Sequence, residues 1–101
     1  MPELCLTLLC PPAIEEKLLD LLVLLPNTTV FTSTPTAAHG KLVWSLSQSE
    51  QVMGRAHATE IKVIFAESDK TALLDAIRRQ FAGSGLRYWV TTVIEAGEIA
   101  C

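Results

Sequence analysis

The chain has 101 residues, enough for one domain with a single hydrophobic core. Half of the residues are hydrophobic, 19% are charged, and eleven acidic against eight basic residues leave a net charge of −3. That balance argues against a nucleic-acid binder, because no basic patch exists beyond Arg78-Arg79.

Residues 4 to 9 alternate as a strand, with Leu4, Leu6 and Leu8 on one face. Pro11-Pro12 ends it, and Pro12 suits the first turn of a helix, where no donor is missed. Ile14, Leu18, Leu21, Leu22 and Leu25 then fall at helical spacing, with Glu15, Glu16, Lys17 and Asp20 mostly facing water. Glu15 and Glu16 also complement the helix dipole, and Pro26-Asn27 stops the helix. Thr28 to Thr34 is rich in β-branched residues and predicts a second strand, with Pro35 marking an edge or the end of pairing. A long loop is expected from about His39 to His57. Residues 59 to 66 return as a strand with Ile61, Val63 and Phe65 on one face and Glu60 and Lys62 on the other. Ser68 is the expected N-cap of a second helix whose buried stripe is Leu73, Leu74, Ile77 and Phe81. Gly83-Ser84-Gly85 breaks that helix, and Leu86 to Ile94 predicts the last strand. The order β-α-β-β-α-β predicts an α+β, ferredoxin-like βαββαβ sandwich over residues 1–101, with two helices on one face of a four-stranded antiparallel sheet.

The mean hydropathy of +0.35 is high for a small soluble monomer. It predicts a buried subunit interface, the rival being a Leu-rich core and nothing more. No basic region precedes the first apolar stretch, and Leu18 to Leu25 contains Asp20 and is too short for a bilayer. A cytoplasmic protein with no direct membrane insertion is therefore expected. Cys5, Cys10 and Cys101 are an odd set without CxxC spacing and are expected to be free thiols.

The chemistry-bearing residues are few. Gly83-Ser84-Gly85 could offer backbone N–H groups to an anion, with Arg87 supplying charge, although a glycine after a helix is ordinary punctuation. His39 and His57 flank the long loop, where a hairpin could bring them together for zinc, copper or nickel, with Cys5 or Cys10 adding a thiol. Two histidines without a recognised spacing are more often solvent-facing loop residues. Glu95 and Glu98 are surface carboxylates, and no nucleophile, HExxH or Walker pattern occurs, so no enzyme is expected.

The loop Gln48-Ser49-Glu50-Gln51-Val52-Met53-Gly54 is similar to the Q-T-E-x-Y-R-G signature of the PII T-loop. Gly83-Ser84-Gly85 followed by Leu86 to Val93 resembles the B-loop pattern G-D-G-K-I-F-V, and Gly97-Glu98 resembles the C-loop T-G-E. On these residues the chain resembles the PII superfamily of trimeric signalling proteins, closest to its DUF3240, or PII new-group, branch. Two departures stand out. Val52 replaces the tyrosine that some PII proteins have modified, which removes uridylylation. Leu86 stands at the B-loop lysine position, and Arg87, one residue on, points to the other face of a strand.

The resemblance implies a homotrimer that binds a small ligand between subunits, a nucleotide or a transition metal. The residues implied for that cleft are Gly40, Lys41, Gly54, Arg55, Gly83, Gly85 and Arg87. Trp44, Gln48, Glu50, Val52 and Met53 would meet a protein partner, such as a membrane transporter of the heavy-metal efflux type. The metal-binding CutA trimers share this architecture and keep His39 and His57 in view as ligands.

Overall fold

Alternation along the first strand sets the architecture. β1 (Glu3–Cys10) buries Leu4, Leu6, Leu8 and Cys10 on one face, while Glu3, Cys5 and Leu9 sit half-buried on the other. The structure, a computed structural model, describes residues 2–26, 30–40 and 56–100. After β1 come a 3-10 turn (Pro12–Ile14), α1 (Glu15–Leu24), β2 (Phe31–Ala38) and β3 (Ala56–Ala66). A second 3-10 turn (Glu67–Asp69), α2 (Lys70–Phe81) and β4 (Arg87–Val93) complete the order. The strands form one antiparallel sheet, ordered β2-β3-β1-β4. This is the expected βαββαβ sandwich.

Strand register assembles the core. Leu4 lies opposite Phe65 and Thr92, Leu6 opposite Val63 and Val90, and Leu8 opposite Ile61 and Tyr88. Against this face α1 brings Leu18 and Leu22, and α2 brings Leu73, Leu74, Ile77 and Phe81, the stripe expected from periodicity. The opposite face of the sheet carries no helix among the described residues. It presents Cys5, Thr7 and Leu9 of β1, Glu60, Lys62 and Ile64 of β3, and Arg87, Trp89 and Thr91 of β4.

Several boundaries differ from expectation. Pro12 opens the 3-10 turn, and α1 proper starts at Glu15. In α1 only Leu18 and Leu22 are fully buried, and Val23 and Leu24 are exposed. β2 runs on through Pro35 to Ala38, because a strand at the sheet edge tolerates a missing N–H on its outer side. β3 begins at Ala56, which places His57 inside a strand, so the loop expected over 39–57 ends sooner. Ser68 falls within the second 3-10 turn; Asp69 takes the cap position of α2, and no side chain caps that end.

One buried thiol ties strand to helix. Cys10 is fully buried, donates to the Pro11 carbonyl at 3.3 Å, and lies opposite Thr59. Thr59 donates its hydroxyl to Glu15 Oε1, joining β3 to the first turn of α1. Burial, and secondly the Glu15 carboxylate, pushes the Cys10 thiol from 9.0 up to about 11. The folded state thus keeps a proton that the unfolded chain releases. Stability from this group is complete below about pH 9 and is lost as pH rises toward about 11. Thermal unfolding between those values should fall more steeply for the wild type than for Cys10→Ala, with roughly 2 kcal/mol of pH-dependent stability separating the slopes. Equal slopes would show that the thiol titrates as in the unfolded chain.

Candidate functional site

The turn that joins α2 to β4 is built to hold its shape. Ala82 N–H closes the helix on the Arg78 carbonyl at 3.1 Å, and Ser84 N–H donates to Phe81 O at 3.1 Å. The Ser84 hydroxyl donates to Phe81 O at 2.6 Å and accepts from Leu86 N–H at 3.3 Å. Gly83 and Gly85 have φ of 77° and 87°, a left-handed backbone that glycine takes without a Cβ penalty. A Cβ on Gly83 would meet nothing within 4 Å, so conformation rather than space demands glycine there.

Beyond the turn, strand alternation sorts the side chains. Leu86 packs against the core, whereas Arg87 is exposed on the helix-free face, in one cross-strand row with Leu9, Glu60 and Thr34. The adjacent row is Trp89, Thr7, Lys62 and Thr32. Thr7 is buried there, Trp89 is 45% exposed, and Lys62 lies 3.5 Å from Glu60. Farther toward the end of the β2–β3 arm, Ala38, Ala56 and Ala58 are buried against Leu9.

On the helix side the turn forms one wall of a cleft of about 150 Å³. Its floor includes Leu8, Ile77 and Phe81, Gly83 and Gly85 line its wall, and Arg78 and Tyr88 stand at its mouth. Arg78 Nη2 donates to the Tyr88 hydroxyl at 3.0 Å, and its guanidinium carbon lies 5.9 Å from the Tyr88 ring centre. Arg78 Nη1 is 3.5 Å from Asp75. Nothing in the sequence reading identified this group. A register argument could have found part of it, since Leu8 and Tyr88 are direct partners once β1 and β4 are paired.

Of the residues expected to bind a ligand, Gly83 and Gly85 come together, and Arg87 follows them on the opposite face of the sheet. Gly40, with φ of 122°, follows the end of β2, two strands from β1 and three from β4 in the sheet, roughly 20 Å past Thr34 by strand rise. Within one chain it does not meet the turn. Lys41, Trp44, Gln48, Glu50, Val52, Met53, Gly54 and Arg55 lie outside the described residues. His57 is opposite Ala37, and His39, two residues on, shares its face, so the pair occupies a diagonal of the β2–β3 arm. Both are exposed. Cys10 is buried with its thiol on Pro11, and Cys5 is on the other face, so neither joins the histidines. Among the described residues no group of three or more His, Cys, Asp or Glu is placed to hold a metal.

The sequence profile of DUF3240, a protein family of unknown function, matches residues 1–100. The chain belongs to the DUF3240 family. A DUF3240 protein of Shewanella baltica superposes with a TM-score of 0.77 at 18% identity, covering 97% of each chain. A nitrogen regulatory PII-like protein of Thiomonas intermedia, solved with ADP, AMP and bicarbonate, gives 0.72 at 17% identity over 98% of each chain. GlnK of Bacillus subtilis gives 0.59 at 15% identity, covering 93% of this chain and 87% of that one. At these identities the likeness establishes a PII-like fold. No curated protein is detectably similar to the chain. No described helix is long and apolar enough to cross a membrane.

The turn geometry makes a direct forecast. Alanine at Gly83 or Gly85 should cost about 1–2 kcal/mol of stability in denaturant unfolding, since each forces a side chain into left-handed backbone. Alanine at Gly97, where nothing lies within 4 Å and φ is ordinary, should change stability by no more than about 0.5 kcal/mol. Equal losses at all three positions would refute the conformational requirement.

Proposed function

We propose that this DUF3240 protein is a PII-like cytoplasmic regulator, a homotrimer that binds a small ligand between subunits and a protein partner through the segment from about Gly40 to Arg55. The observation that supports the reading is the full-length likeness of fold to PII-like proteins, and within one chain Gly40 lies apart from the Gly83–Gly85 turn. A ligand held by both groups needs a second copy to bring them together. The full-length likeness to a PII-like protein solved with ADP and AMP makes an adenine nucleotide the first ligand to test.

In this site Gly83, Gly85 and Arg87 of one subunit face Gly40, Lys41, Gly54 and Arg55 of the next. Leu86 packs inward at the position where the PII pattern has lysine and Arg87 stands on the helix-free face, so Arg87 does not take that lysine's place and supplies charge, with the loop-base cations, only to a ligand that reaches that face. Trp44, Gln48, Glu50, Val52 and Met53 present the partner-binding surface, and a ligand that favours one loop conformation changes how often that surface is offered. The partner is a membrane transporter of the heavy-metal efflux type. The protein acts by binding and is not an enzyme.

The diagonal placement of His39 and His57 favours a second reading, a transition-metal-binding protein of the CutA kind, in which the two imidazoles supply part of the ligand set. One experiment separates the two. Thermal unfolding is followed against ATP, ADP, AMP, zinc and copper, since a ligand that binds only the native form raises the midpoint with concentration. At about a hundred times Kd an adenine nucleotide should raise the midpoint by roughly 10 °C. A rise with zinc or copper alone, lost in the His39→Ala, His57→Ala double variant, supports the metal reading instead. Deleting residues 43–53 should abolish transporter capture and leave the trimer folded. Capture that survives the deletion disposes of the loop's role.

A further inference from the structure

The cleft beneath Arg78 has the size, lining and charge of a binding site of its own. At about 150 Å³ it matches the apolar cavities that take up benzene-sized molecules. Leu8, Ile77 and Phe81 beneath it are almost wholly buried, so its floor is hydrocarbon. The opposite wall is the turn, which is fixed before any ligand arrives by the two Ser84 hydroxyl bonds and the closure of α2 on Arg78. A preformed pocket spares a ligand the ordering cost that a collapsed one imposes.

Its mouth is polar and cationic in an otherwise acidic protein. Arg78 is held over the Tyr88 ring and bonded to the Tyr88 hydroxyl. Because Tyr88 accepts from Arg78, its own proton remains to be given. Asp75 approaches Nη1, and the guanidinium carries more N–H groups than Asp75 and Tyr88 take up. An arginine fork beside a phenol proton is the donor set that recognises a carboxylate.

We infer that this cleft binds a small monocarboxylate with a compact aromatic or branched aliphatic body. The apolar body sits between Ile77, Phe81 and the turn, and the carboxylate sits on Arg78 and Tyr88. The cleft is complete within one chain and lies on the helix side of the sheet, so the inference does not rest on the intersubunit site or on the trimer.

The test titrates benzoate and the neutral analogue benzyl alcohol, followed by amide correlation spectra of the full chain. Benzoate should give saturable shifts at Gly83, Gly85, Leu86 and Tyr88 and bind more tightly than benzyl alcohol. Arg78→Gln, an exposed change that keeps a good helix former, should weaken benzoate about tenfold and leave benzyl alcohol unchanged. Arg79→Gln removes the same charge one residue away from the cleft and should leave both unchanged. Equal affinity for the two probes would reduce the cleft to an apolar void and overturn the inference. Equal weakening by Arg78→Gln and Arg79→Gln would show unspecific attraction, and it too would overturn it. So would the absence of saturable shifts at the four residues.

Discussion

Leu6 and Leu8, buried at the middle of β1, are the surface on which everything else is seated. Their register fixes Val63 and Ile61 on one side and Val90 and Tyr88 on the other. Because strand side chains alternate, the same register commits the intervening residues to the helix-free face. Thr7 and Leu9 go there, and with them Trp89 and Arg87. A shift of β4 by one residue would bury Arg87 under α2 and expose Leu86, leaving a buried charge without a partner. The placement of the one cation in β4 is thus a consequence of core packing.

The Gly83–Gly85 turn inherits its position from that constraint. α2 must end where Phe81 completes the core, and β4 must start with Leu86 pointing inward. The few residues between have to reverse the chain, and two left-handed glycines with a serine tied at both ends accomplish it. A turn held so firmly is a fixed wall for whatever lies beside it. Its helix side closes a cleft, and its other side carries the chain into Arg87.

The elements legible in the sequence were those whose residues speak locally. The α2 stripe of Leu73, Leu74, Ile77 and Phe81, the β3 alternation and the glycine turn all follow from spacing within a short window. The extent of β2 was not legible, because Pro35 reads as a strand stop unless the strand is known to lie on an edge. His57 read as a loop residue because Ala56 and Ala58 give no β-branched signal, although both are buried in the arm. The Glu15–Thr59–Cys10 contact and the Arg78–Tyr88 pair join residues from separate elements, and only the register of β1 with β3 and β4 brings them together. The residues expected to hold a ligand were only partly informative for the same reason: proximity in a motif says nothing of which face of a strand each residue takes.

Parity also determines how the two sides of the sheet can communicate. Leu86 packs under α2 while Arg87 lies in the row with Leu9 and Glu60, and a single peptide unit joins them. Leu86 both packs on the core and lines the cleft, so a ligand in the cleft meets the residue whose backbone leads directly into Arg87. The hydroxyl of Ser84, bonded to both Phe81 and Leu86, extends the same connection back to the end of α2. The helix-side cleft and the helix-free face therefore meet at the start of β4, one residue apart in the chain.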